Sequence, residues 1–97
     1  MKVKWSPLAL AHLDGIIRYI AQDNVAAALK LQKTISRQVA HLASHPNRGR
    51  PGRVEGTREL VIPRTPYLVI YRVRKAEVTF ARVLHGAQRW PPKQPEP

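Results

Sequence analysis

A chain of 97 residues can bury one modest core and leaves no room for a second domain or an elaborate cleft. Seventeen Lys and Arg against six Asp and Glu give a formal charge of +11, which suits a nucleic acid or a strongly acidic protein as partner. Cysteine is absent, which excludes disulfides, thiolate metal sites and cysteine nucleophiles, and no apolar run approaches the ~18 residues of a membrane helix.

The opening decapeptide MKVKWSPLAL lacks the continuous apolar stretch of a signal peptide, so a cytoplasmic protein with no membrane partner is expected. Within it KVKW alternates polar and apolar residues and reads as a short strand. Ser6 then caps a helix whose first residue is Pro7, a position where a missing N–H costs nothing. Leu13, Ile16, Ile17 and Ile20 repeat at helical spacing, and Asp14 and Arg18 stand four apart on the exposed side, so the first helix is placed at 7–22.

Asp23 and Asn24 break that pattern and can cap a second helix. Ala28, Leu31, Ile35, Val39 and Leu42 draw a narrow apolar stripe along a segment ending before Pro46, a helix of about 30 Å. The short link makes the two helices an antiparallel hairpin. His41 and His45 stand one turn apart near its end, a spacing that could share a metal, but no nearby acid completes a ligand set and no metal is expected. No cofactor is expected either: the basic loop PNRGRPGRVEGT, with Arg48, Arg50 and Arg53, lacks the GK[ST] ending of a nucleotide cradle and runs into a strand.

Three β segments follow at 58–62, 67–73 and 78–85, separated by PRTP and RKAE, and these form an antiparallel meander. The middle run YLVIYRV is apolar on both alternating faces, so it should lie centrally and be covered on both sides. The helical hairpin supplies one cover. The other face carries either Leu68 and Ile70 or Tyr67, Val69 and Tyr71, and with no further long element in the chain a partner is expected to cover it. The last residues, 91–97, hold four prolines and read as an extended or disordered tail.

The acids are too scattered for a glycosidase pair, and serines 6, 36 and 44 have no triad partners around them. His85, Arg58, Arg82, Arg89 and Tyr67 carry more chemistry. A metal-free ribonuclease could use His85 as general base on a ribose hydroxyl and the arginines to steady charge on phosphorus. Equally, His85 and Trp90 could anchor the chain exit while the arginines stay in solvent.

The succession KWSPLALAHLDGIIRYIA, NVAAALKLQKTI, HPNRGRPG, TRELVIPRTPYLVIYRV and FARVLHGAQRW resembles the RelE/ParE superfamily of toxins from type II toxin–antitoxin modules, across residues 1–90. The resemblance implies an α+β fold in which an N-terminal strand and a helical hairpin pack on an antiparallel sheet of three to four strands. It also implies an acidic antitoxin as partner in a hetero-oligomer. On this reading Leu68, Ile70, Arg72, Arg50 and Arg53 receive the antitoxin. Two activities diverge within the superfamily. ParE-like members poison DNA gyrase and are not known as nucleases; here Arg82, His85, Gln88, Arg89 and Trp90 would face the target, with no catalytic residue. RelE-like members cut mRNA on the ribosome, and His85, Arg58, Arg82, Arg89 and Tyr67 would be their counterpart. RelE itself places an arginine after the aromatic that opens the central strand and paired lysines in the strand before. Here Leu68 follows Tyr67, and Glu59 and Val61 replace the lysines. The exit VLH resembles the ParE-like strand ending, so gyrase poisoning is the first expectation and mRNA cleavage the second. A toxin fold that retains only antitoxin binding, and serves through transcriptional co-repression, is the third.

Overall fold

The alternating KVKW segment forms β1, Lys2–Trp5, and the chain turns at once into α1, Pro7–Asp23. The computed structural model describes residues 1–91, so the tail expected at 91–97 lies outside the described residues from residue 92 onward. Ser6 caps α1 by accepting the Ala9 N–H at 3.0 Å. Asn24 ends α1 by donating its N–H to Ile20 and begins α2, Val25–Ser44, by accepting the Ala27 N–H at 3.0 Å. One capping residue thus serves two helices, which makes their junction tight.

The apolar stripes point where their spacing places them. Ala28, Leu31, Ile35 and Leu42 of α2 are buried, while Leu13, Ile16, Ile17, Ile20 and Val39 pack around them partly exposed. The Asp14–Arg18 pair closes at 2.8 Å but stays in water, where it contributes at most about 0.5 kcal/mol.

After α2 come β2, Arg50–Pro51, β3, Arg58–Val61, β4, Tyr67–Arg74, and β5, Glu77–His85. They form one mixed sheet of five strands in the order β1-β5-β4-β3-β2. The meander β3-β4-β5 is antiparallel as expected. Two features differ from a sheet of three to four antiparallel strands. β1 pairs with β5 in parallel, since the helical hairpin carries the chain away from β1 before the meander returns beside it. β2 adds a two-residue edge inside the basic loop; Pro51 has no N–H to offer, and the Gly52 N–H beyond it reaches the Thr57 carbonyl at 2.8 Å.

The helices cover one face of this sheet. There Val69 and Tyr71 of β4 and Val78, Phe80 and Val83 of β5 join Leu31, Ile35 and Leu42 in the main core. The opposite face holds a second, smaller cluster of Leu68, Ile70 and Leu84. That face was expected to need a partner for cover. Instead Trp90, from the chain exit, packs over the cluster, and Ile70 is 0% exposed within the chain itself. A single indole buries an area comparable to a short element's contribution, and three side chains are little enough for it to seal. Val61, next to the cluster on β3, remains 49% exposed.

Candidate functional site

The site is shaped by a β-bulge. Ile70 faces Arg82 across the β4–β5 ladder, yet the next residue, Tyr71, faces Phe80, so Ala81 is the extra residue. Before the bulge Val78 and Phe80 point to the helices; after it Val83 does. The inserted residue therefore turns Arg82 and Leu84 to the far face and brings His85 to the helix side, beside Tyr67.

The bulge is held by the elements that follow β1. β1 stops opposite Phe80, and the polar edge of β5 beyond it finds partners in α1 and its cap. Ser6 N–H donates to the Phe80 carbonyl at 2.9 Å, and the Ser6 hydroxyl donates to the Ala81 carbonyl at 3.1 Å. His12 Nδ1 accepts the Val83 N–H at 3.3 Å. Burial, with a smaller contribution from the Arg82 charge, lowers the His12 pKa. That suits the neutral ring the Val83 contact requires, since only a bare Nδ1 can accept.

At the end of β5 the exit folds onto itself. His85 N–H donates to Gln88 Oε1 at 2.7 Å, Gln88 N–H returns to the His85 carbonyl at 2.9 Å, and Ala87 N–H donates to His85 Nδ1 at 3.0 Å. With Nδ1 occupied as an acceptor, the neutral His85 ring carries its proton on Nε2, which is then a donor. Tyr67 meets this ring edge to face at 5.6 Å. Tyr67, His85 and Gln88 line a groove of about 460 Å³ together with His12, Gly15 and Tyr19 of α1. His12 and Tyr19 were not singled out in the sequence. Their signal was available: His12 precedes Ile16 by four residues and so flanks the buried stripe, and Tyr19 stands seven residues beyond His12.

The five residues of a nuclease set do not converge. Tyr67 and His85 adjoin, but Arg82 lies on the opposite face, its guanidinium 4.9 Å above the Trp90 ring. Arg58 pairs with Tyr71 across β3–β4, four positions along β4 from Tyr67, and donates to the carbonyls of Gly49 at 2.6 Å and Asn47 at 3.3 Å. Four strand residues span about 13 Å. Arg89 is exposed on the exit.

Arg50 and Arg53 bracket a buried carboxylate. Glu59, on β3, has a side chain 1% exposed. Its Oε1 accepts from Arg50 Nε and the Arg50 guanidinium at 3.2 and 3.0 Å, and its Oε2 accepts the Arg53 N–H at 3.0 Å with Arg53 Nε 3.6 Å away. Burial alone would raise the Glu59 pKa, but the Arg53 N–H, the Arg50 hydrogen bonds and both arginine charges outweigh it and hold the carboxyl below its usual range. Glu59 so fixes the basic loop on the sheet. Arg53 also reaches the Trp90 carbonyl at 3.2 Å, which ties the loop to the chain exit, and Arg72 reaches toward the Glu55 carbonyl at 3.5 Å. The far face thus presents Leu68, Ile70 and Leu84 under Trp90, ringed by Arg53, Arg72 and Arg82. The Trp90 Nε1 is buried with no hydrogen-bond partner among the described residues.

His41 and His45 stack face to face at 4.6 Å, and His41 Nδ1 is met by the Arg48 guanidinium at 3.1 Å, a cation where a metal would have to sit. No group of three metal-ligating side chains occurs among the described residues. No helix among them is long and apolar enough to cross a membrane.

The family model described as the ParE toxin of the type II toxin–antitoxin system parDE matches residues 3–90. The chain belongs to the ParE toxin family. It is 40% identical over 90 residues to the Sinorhizobium fredii protein named toxin Y4kP, covering 93% of either chain. It is 32% identical over 87 residues to toxin RelE2 of Caulobacter vibrioides, covering 90% of this chain and 97% of that one. Among solved structures, the chromosomal ParDE toxin–antitoxin system from P. aeruginosa superposes with a TM-score of 0.78 at 32% identity, over 88% of this chain and 95% of the other. The chain is thus a toxin of a type II toxin–antitoxin system; its α+β fold agrees with what the superfamily resemblance implied, while its sheet is mixed and has five strands where three to four antiparallel ones were expected.

Proposed function

We propose that this ParE-family toxin inhibits growth by poisoning DNA gyrase and is neutralised by an acidic antitoxin. The observation that carries the gyrase reading is the dispersal of the residues an RNA-cutting centre would need. Arg58 is spent on loop carbonyls, Arg82 lies across the sheet from His85, and His85 offers a donor where a general base needs a free lone pair. What this arrangement supplies is a rigid surface rather than a reacting centre: Arg82 and Trp90 stacked on one face, His85, Gln88 and Arg89 along the exit. Rigid anchors of these residue types suit a protein target.

The antitoxin reading rests on the far face. Leu68 and Ile70 lie beneath Trp90, Arg72, Arg50 and Arg53 stand around them, and the chain carries +11. A chromosomal ParDE toxin–antitoxin system is among the solved structures it resembles, and an acidic segment laid on this face would meet the apolar surface that Val61 and the Trp90 ring leave open together with the surrounding arginines. The second reading, a ribosome-dependent mRNA endonuclease, is supported by the Tyr67–His85 contact alone. Purified toxin assayed for inhibition of gyrase supercoiling, beside primer extension on mRNA from a translating extract, separates the two. Inhibited supercoiling with intact mRNA is expected; cuts at ribosomal A sites that vanish in His85→Ala would sink the gyrase reading.

A further inference from the structure

A groove of about 550 Å³ runs between α2 and the turn that joins β3 to β4. Its floor is apolar, built by Leu31 of α2 and by Pro63, Pro66 and Tyr67 of the turn and strand. Its rim carries Lys30 and Arg37 from α2 and Arg64 from the turn, and no acidic residue lines it. None of the three cations is within ion-pair distance of a carboxylate among the described residues. Lys30 and Arg37 stand seven residues apart on one side of the helix, about 10 Å along its axis.

The turn aims the third cation. Arg64 holds φ at 63°, in the left-handed region where a side chain costs about 1 kcal/mol or more and glycine is the usual occupant. Its neighbours enforce that angle. Thr65 donates through N–H and hydroxyl to the Ile62 carbonyl at 3.3 and 3.0 Å, and the Thr65 hydroxyl accepts the Tyr67 N–H at 3.1 Å, with a proline on either side of the Arg64–Thr65 pair.

We propose that this groove receives an amphipathic acidic segment of the antitoxin, with an apolar side chain on the floor at Leu31 and Tyr67 and carboxylates at Lys30, Arg37 and Arg64. The inference rests on the antitoxin reading above and gives that partner a second contact, separate from the far face of the sheet. An apolar floor argues for a peptide over a nucleic-acid backbone, which would meet the cations but leave the floor wet. Charges seven apart on α2 match carboxylates seven apart on a helix or about three apart on an extended chain.

The test uses the full toxin and the acidic protein encoded beside it, with affinity measured by calorimetry at several salt concentrations. The charge reversal Lys30→Glu/Arg37→Glu/Arg64→Glu should weaken binding by roughly tenfold to a hundredfold and flatten its salt dependence. Arg64→Gly controls for folding: it should keep the melting temperature, yet weaken binding severalfold, and Arg64→Lys should recover part of the loss. Antitoxin affinity unchanged within twofold in the triple variant overturns the site. So does a triple variant that binds antitoxin normally but no longer inhibits gyrase, which would give the groove to the target. Wild-type toxin that fails to bind the acidic protein at all overturns the antitoxin reading itself, and this site with it.

Discussion

Replacing Glu59 by glutamine isolates the charge that fixes the basic loop. The variant keeps one oxygen for Arg50, but the amide NH2 takes the place of Oε2 and sets donor against donor at the Arg53 N–H. Leaving that N–H unpaired costs about 1–3 kcal/mol. Arg50 and Arg53 are 54% and 45% exposed, so water replaces much of each lost ion pair, which adds about 1 kcal/mol at most apiece. The sum is about 1–5 kcal/mol, or a melting temperature lower by roughly 4–40 °C for a domain of this size. The pH dependence follows from the lowered carboxyl pKa: its stabilisation is complete above the usual carboxylate range and is lost as pH falls through the lowered value in the folded chain. Urea unfolding of both proteins should therefore show a full gap at neutral pH that narrows below about pH 4. A gap under about 0.5 kcal/mol at neutral pH, or one that does not change on acidification, would refute the reasoning.

Four further outcomes follow from the same contacts. Ser6→Ala removes the α1 cap and strands the Ala81 carbonyl at once, so denaturant unfolding should show a loss of about 2–3 kcal/mol, above the ~1 kcal/mol typical of a cap alone. Gly49→Ala would place a Cβ 2.6 Å from the Tyr71 hydroxyl and 2.7 Å from its ring, and should cost about 1–3 kcal/mol by thermal melting. Wild type should lose stability as the pH falls through the ordinary histidine range toward the lowered value in the folded chain, because the unfolded chain protonates His12 before the folded one does, and His12→Gln should remove part of that slope in urea titrations. Trp90→Ala should uncover Leu68, Ile70 and Leu84, raising the binding of an apolar dye and lowering stability by about 2 kcal/mol.

Local signals made the helices legible. Ser6 before Pro7, and Asn24 between two periodic runs, state their boundaries in a few adjacent residues, and the observed ends fall within a residue or two of those expected. The meander was legible for the same reason, since β-type runs and short turns alternate along it. The partner of β1 was not, because four alternating residues specify a strand but not its neighbour across some seventy intervening positions. β2 hid in a loop rich in glycine and proline, where pairing comes from Glu59 holding Arg50 and Arg53 rather than from any propensity of the loop.

The bulge had the largest consequence for the site. Unbroken alternation would keep Arg82 and Leu84 on the face of Val78 and Phe80 and put His85 on the other; the extra Ala81 exchanges the two, sending Arg82 to the far face and His85 to the helix side. Simple counting along the strand cannot see that, and the polar contacts that hold it come from Ser6 and His12, far away in the chain. Trp90 reads in the sequence as a candidate anchor of the chain exit, but that it also covers the far face is not legible there. A search for long covering elements passes over a lone tryptophan, and Trp90 is what covers the second cluster.

The decisive measurement is DNA cleavage by purified gyrase on supercoiled plasmid as purified toxin is titrated in. A target poison acting through Arg82 and Trp90 on one face and His85 at the exit predicts linear plasmid accumulating with toxin and disappearing when the acidic antitoxin is added. Gyrase that cleaves and supercoils at its normal rate with toxin in excess, under conditions where the same preparation stops growth, would contradict it.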